Sequence, residues 1–199
     1  MPKAGKVKKG YAISIENVAP FLWYRVGISD KSELGVRVGL PIYGSGVDYS
    51  RVLYKKKNKW DMLNLAWSLN PNYNLDATYY KFKTKKTDAD FLKSRWLGFR
   101  MMSIQKGITG GTSNRFGFLY GIQSSPRWGM EFGYFHDSSS IPITDIFSSN
   151  WDPFSIENYD RYSKKPIRDE SSGLPSEFSR MTGLSFSLFF DLDAPKKKK

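Results

Sequence analysis

The sequence predicts an all-β protein: a closed, antiparallel, up-and-down transmembrane β-barrel of about ten strands, within a range of roughly eight to twelve, with one long extracellular loop. Three observations predict it. Residues 183–192 alternate, with Phe186 and Leu188 on an apolar face and Ser185 and Ser187 on the other. Similar alternation recurs along the chain, and 16% of the residues are aromatic. Strands of about ten residues and abundant aromatic residues are typical of tilted strands that cross a membrane.

Nine further segments are predicted as strands. Residues 34–40 show the clearest pattern among them, because Leu34, Val36 and Val38 alternate with Gly35 and Arg37. Two segments, 47–54 and 75–82, are strand-like in composition but do not indicate which face is apolar. The nine segments are 11–16, 21–28, 34–40, 47–54, 60–69, 75–82, 95–104, 116–122 and 128–134.

The connections between these segments differ in length. Polar turns are predicted at 29–32, in the lysine-rich stretch from Lys55, at 70–74 and at 124–127, with a longer polar connection at 83–93 and a glycine-rich loop at 107–114. Residues 137–177 lack alternation and are rich in Ser, Asp and Pro. Outer-membrane barrels carry long loops on one side and short turns on the other, so this segment is the predicted extracellular loop, opposite periplasmic turns.

Size and composition allow one domain. The 199 residues divide into a basic N-terminal tail (1–9), a single barrel domain (10–192, with the long loop at 137–177) and a lysine-rich C-terminal tail (193–199). No run of 18 apolar residues is present, so no transmembrane helix is expected, and the absence of cysteine excludes disulfides and thiolate metal sites. The N-terminal tail has no apolar segment behind it, so an exported barrel is expected to be present here in its mature form or as a fragment.

The net charge of +12 is concentrated in four lysine clusters, at 3–9, 55–59, 81–86 and 196–199. They lie at the chain ends and between strand-like segments, so solvated turns and tails are the simplest interpretation. Contact with anionic outer-membrane lipid or lipopolysaccharide is the alternative. Nucleic acid is not the expected partner, and the sequence does not indicate an oligomeric state.

At the level of architecture, the chain resembles small bacterial outer-membrane β-barrel proteins, such as porin-like and outer-membrane protein A-type barrels. Recurring alternation, Trp and Tyr near strand ends and a terminal strand containing Phe189 and Phe190 carry the resemblance over residues 10–192. It implies a location in the outer membrane of a Gram-negative cell and a transport or structural role. Such proteins usually end on an aromatic residue, whereas this chain continues from Asp191 to four lysines.

Five charged residues fall on the predicted inward faces and are the candidate lumen-lining residues: Glu16, Arg25, Arg37, Arg100 and Glu131. Charges in a narrow, water-poor interior need partners, so the favoured interpretation is a set of Arg–Glu ion pairs that fills the lumen, with Arg37 or Arg25 within ion-pair reach of Glu131 or Glu16. The alternative is a basic pore lining that attracts small anionic solutes, because arginines outnumber acids in this set. Either way the predicted function is non-enzymatic: a narrow pore or a structural membrane protein.

The chain's one histidine, His136, precedes Ser138 by two residues. This pair resembles the His-x-Ser of outer-membrane lipid A deacylases, which implies a Ser138 nucleophile activated by His136. An interfacial histidine without a catalytic role is the favoured interpretation. A third alternative is a soluble, lipocalin-like barrel that binds an apolar ligand, with the apolar faces turned inward.

No cofactor or metal site is predicted. The glycines at 107–111 are not followed by the Gly-Lys-Ser/Thr of a P-loop. Asp145, Asp152, Asp160 and Asp169 lack the spacing of a calcium-binding EF-hand loop, so they are expected to be solvated loop residues.

Overall fold

A computed structural model gives the fold, and it describes residues 3–14, 20–39, 45–69, 72–86, 92–107, 113–137 and 183–193. These residues form one closed antiparallel barrel of ten strands in which each strand pairs with its neighbours in sequence and β1 closes the ring against β10. The fold class predicted from the sequence is confirmed. The strands are β1 (Val7–Ser14), β2 (Phe21–Ser29), β3 (Ser32–Gly39), β4 (Ser45–Lys56), β5 (Lys59–Leu69), β6 (Asn72–Lys86), β7 (Leu92–Gly107), β8 (Ser113–Gln123), β9 (Trp128–Asp137) and β10 (Gly183–Asp191).

One end of the barrel carries the connections at residues 30–31, 57–58 and 124–127, together with the start of β1 and the end of β10. This end is called the turn end below. The two-residue turn between β4 and β5 places Lys57 at a φ of 45°, the left-handed conformation that such tight hairpins require. The residues of the predicted long extracellular loop lie outside the described part of the chain, apart from Asp137.

Alternation sets the two faces of the barrel wall. Leu34, Val36, Val38 and Phe132 are exposed on the outer face, as the sequence predicts. Phe186 and Leu188 lie on the same outer face in β10 but are half-buried, because neighbouring side chains cover them; the Phe186 ring packs on Phe132 with centroids 4.9 Å apart.

Several predicted boundaries were wrong, and the following differ most. The polar connection predicted at 83–93 is largely strand, since β6 continues to Lys86 and β7 begins at Leu92. Likewise, β6 begins at Asn72, inside the turn predicted at 70–74, and β1 begins at Val7, inside the predicted basic tail. In each case ladder pairing with at least one neighbouring strand keeps a polar segment extended, which its residue types alone do not favour.

The two segments whose facing the sequence left open are resolved by burial. In β4, Asp48, Ser50 and Val52 point inward. In β6, Thr78 and Tyr80 point inward, whereas Leu75 and Tyr79 are exposed outside.

Candidate functional site in the barrel interior

The barrel encloses a cavity of about 380 Å³, which its inward side chains line. Seven charged residues contribute to this lining: Arg25, Glu33, Arg37, Asp48, Asp76, Arg100 and Glu131. Three of them are arginines and four are acids, so the excess of arginines predicted for the lumen does not hold for the cavity. The net charge of the residues that line the cavity therefore does not favour the binding of anions.

Arg25 is the centre of a charged cluster on the side formed by β2 to β5. Its Nη1 lies 2.5 Å from Glu33 Oε1, and its Nη2 lies 3.0 Å from Asp48 Oδ2. Asn64 Nδ2 donates to Asp48 Oδ2 and to Ser50 Oγ, both at 2.9 Å. Glu33 and Asp48 are buried, so one guanidinium holds two carboxylates that are largely shielded from bulk solvent.

Arg37, on the neighbouring β3, has poorer partners. Its Nε and Nη2 are inaccessible to solvent and have no hydrogen-bond partner among the described residues. The negative charges of Asp48 and Asp76 act on its guanidinium, but burial and the positive charges of Arg100 and Arg25 oppose them. The charge of Arg37 is therefore only partly balanced, whereas Arg25 is balanced by direct contact with two carboxylates.

Arg100 joins a second network on the side formed by β6 to β9. Its Nε donates to Thr78 Oγ1 at 2.9 Å and its Nη2 donates to the Tyr80 hydroxyl at 3.1 Å. The same Nη2 lies 3.9 Å from Glu131 Oε1, and the guanidinium sits 5.6 Å from the centre of the Phe135 ring. Glu131 Oε2 accepts a hydrogen bond of 2.6 Å from Trp96 Nε1. This acid therefore links the charged groups to the aromatic ones.

A row of four rings crosses the interior near the turn end, from β5 to β10. Trp60 and Phe82 stack with centroids 3.8 Å apart and planes within 5° of parallel. Phe82 lies 5.6 Å from Trp96, and Trp96 lies 5.8 Å from Phe189. Farther inside, Leu119 and Phe135 are almost completely buried, so apolar groups fill this side of the barrel.

Inward glycines make room for these large groups. A Cβ at Gly121 would lie 1.9 Å from Trp96 Cε2, and one at Gly117 would lie 2.4 Å from Phe135 Cδ1. The same relation joins Gly35 to the Asp48 carboxylate, at 2.4 Å from Oδ1. Each large side chain thus lies over a glycine of another strand, where a methyl group would overlap it.

Four of the five predicted lumen residues line the cavity: Arg25, Arg37, Arg100 and Glu131. The fifth, Glu16, lies outside the described residues. The predicted pairing of Arg25 or Arg37 with Glu131 or Glu16 is not what the described residues show, because Arg25 pairs with Glu33 and Asp48 and it is Arg100 that approaches Glu131.

Sequence reasoning missed Glu33, Asp48 and Asp76. The sequence did contain a signal for Glu33. Glu33 and inward Arg37 both have odd numbers on one strand, so alternation places them on the same face. The β2–β3 hairpin pairs Glu33 with Gly27, two residues from Arg25. Asp48 and Asp76 lie in the two segments whose facing the sequence did not indicate, so parity gave no signal for them.

The enzyme alternative stays a prediction. The backbone of His136 belongs to β9 and pairs with Phe116, but its side chain and the whole of Ser138 lie outside the described part of the chain. No cluster of three or more His, Cys, Asp or Glu side chains suited to a metal ion occurs within the described ranges.

Comparisons with family models, with curated proteins and with solved structures find no match to this chain. Among the described residues, no helix has the length and apolar character needed to cross a bilayer.

Proposed function

We propose that the chain is a non-enzymatic β-barrel of a bacterial outer membrane, acting as a structural membrane protein or a narrow pore. The observation that carries the proposal is the polarity of the wall, which is apolar outside and charged or aromatic inside. Among the described residues, twenty-five large hydrophobic side chains are exposed, and all of them except Leu192 lie on nine of the ten strands. Soluble monomers rarely expose contiguous apolar patches beyond a few hundred Å², so a band around the barrel supports contact with lipid.

The positions of outward aromatic residues support the same proposal. Tyr54 and Trp128 are exposed near the turn end, whereas Trp67 and Tyr134 are exposed near the opposite end. Aromatic residues with one apolar and one polar part concentrate where a bilayer meets water. Two such levels, separated by apolar residues, fit a barrel that spans the bilayer.

The side chains that fill the interior support the proposal of a narrow pore or of a barrel without a conduction path. The Arg25 cluster occupies one side, and the row of four rings occupies the other near the turn end. Wide porin channels leave an aqueous lumen, whereas barrels of about this strand number are narrow enough for side chains to fill. We therefore expect a conductance well below that of a general porin.

The test is reconstitution. The refolded protein should co-float with phosphatidylcholine vesicles and resist extraction at alkaline pH, and it should give small or undetectable currents in planar bilayers. Val36→Arg places a charge on the exposed middle of β3 and should reduce insertion, since arginine at the bilayer midplane costs about 2–4 kcal/mol. Asp30→Arg, in a turn outside the apolar band, is the matched control and should insert normally.

A soluble barrel that binds an apolar ligand is the second candidate, because Met62, Tyr80, Trp96 and Phe189 place apolar surface around the cavity. Monomeric behaviour without detergent, together with saturable binding of a fluorescent fatty acid, would favour it. That result would exclude the membrane proposal.

A further inference from the structure

The outer wall near the turn end carries six exposed cations on three adjacent strands, which we call the basic cluster: Lys59, Lys81, Lys83, Lys85, Lys93 and Arg95. The ladder sets them directly beside one another. Lys83 pairs with Lys59 on one side and with Arg95 on the other, and Lys85 pairs with Lys93. Like charges directly opposite one another destabilise a sheet, so the isolated barrel gains nothing from this arrangement.

Acids within the described residues do not neutralise the basic cluster. None of the six forms an ion pair with a residue that the structure describes. The nearest outward acid in the ladder is Asp61, which pairs with Lys81 in register and offsets one of the six charges; its carboxylate also accepts a 2.7 Å hydrogen bond from the Tyr79 hydroxyl. The remaining positive charge is therefore open to an external partner.

The basic cluster begins where the apolar outer band ends. On β6, outward Leu75 and Tyr79 are followed by Lys81, and on β7 Leu97 follows Arg95. Lys81 and Leu97 are register partners, so the change from apolar to basic on β7 lies one outward residue nearer the turn end than on β6. Successive outward residues are about 6.5–7 Å apart along a strand, which matches the step from the edge of the hydrocarbon to the headgroups.

We propose that the basic cluster binds the headgroups of anionic glycerophospholipids, in the leaflet that surrounds the turn end. Lysine stems can lie against the rim of the apolar band while their ammonium groups reach lipid phosphates. Several adjacent cations at headgroup level attract acidic lipids by charge and are screened by salt. This assignment rests on the membrane proposal and adds a lipid preference and an orientation to it.

The experiment measures lipid association with the refolded protein in a neutral detergent by native mass spectrometry. Wild-type protein should retain phosphatidylglycerol at least roughly fivefold more tightly than phosphatidylcholine, the factor expected from about one engaged lysine. Replacement of Lys59, Lys83, Lys85 and Lys93 by Gln should bring this ratio near one. The same four positions changed to Arg preserve charge and should preserve the preference.

Each remaining outcome overturns the assignment. A wild-type ratio near one, or a ratio that survives the four Gln substitutions, would show that the basic cluster does not select lipid. Preferential retention of lipid A over phosphatidylglycerol would place the turn end in the other leaflet. Displacement of phosphatidylglycerol by free glycerol 3-phosphate would show recognition of a soluble phosphate. Failure of the membrane proposal is distinct, because the wild-type protein would then not insert into phosphatidylcholine vesicles at all.

Discussion

On the side of the barrel formed by β2 to β5, the interior is filled by a guanidinium, two carboxylates and the small polar groups that surround them. On the side formed by β6 to β10, it is filled mostly by rings and apolar groups that lie over glycines. The charged side depends on exact pairing, because a buried charge without a partner is costly. The aromatic side depends on volume, because dense packing leaves no space for added atoms. Substitutions on the two sides should therefore destabilise the barrel for different physical reasons.

The largest expected effect is at Arg25. Arg25→Met removes the cation that holds Glu33 and Asp48, which leaves two buried carboxylates close together, so the free energy of unfolding should fall by about 3–5 kcal/mol. Arg37→Met is the matched control, and it should cost little or stabilise the barrel because two donors of Arg37 already lack partners. Denaturant unfolding in detergent, followed by circular dichroism, measures both. Equal losses in the two variants would show that contact pairing is not what separates these arginines.

A smaller effect is expected on the aromatic side. Gly121→Ala places a methyl group against Trp96 and should lower the free energy of unfolding by about 1–3 kcal/mol, since the ring must move away from Glu131. Trp96→Leu in the same chain removes the overlap, so the double variant should lose less than the sum of the two single variants. Strict additivity in this double-mutant cycle would mean that Gly121 does not act by making room for Trp96.

The smallest effect on the free energy of unfolding is expected for two neighbouring tyrosines on opposite faces of β6. Tyr80→Phe removes an inward hydroxyl that accepts a hydrogen bond from Arg100, and it should cost about 1 kcal/mol. Tyr79→Phe removes an outward hydroxyl bonded to exposed Asp61 and should cost a few tenths of a kcal/mol. The same unfolding measurement applies, and a larger loss at Tyr79 than at Tyr80 would contradict the difference between interior and exterior proposed here.

The sequence predicted the fold class, the strand number and most of the facing because bulky outward residues alternate with small or charged inward ones in strands such as β3 and β9. The sequence did not indicate which face of β4 is inward. There the apolar Val52 lies inside and the charged Arg51 lies outside, which is the reverse of the usual arrangement. The prediction also shortened β6 and β7, because lysine-rich ends look like turns when the neighbouring strands are unknown. Alternation indicated the facing of the strands that carry Arg25, Arg37 and Arg100 but not that of β4 and β6, which explains why these arginines were found and Asp48 and Asp76 were not.

The seam between β1 and β10 has a consequence for how the chain becomes a barrel. There the Tyr11 and Phe190 rings stack at 4.5 Å, and the Lys9 amide donates to Asp193, a residue 184 positions away. Until residues 183–191 have been synthesised, β1 and β9 are open edges, and open edges invite pairing with other chains. Closure is thus the last and most non-local step of folding, which makes it slow. The two strand edges therefore need shielding until β10 pairs with β1.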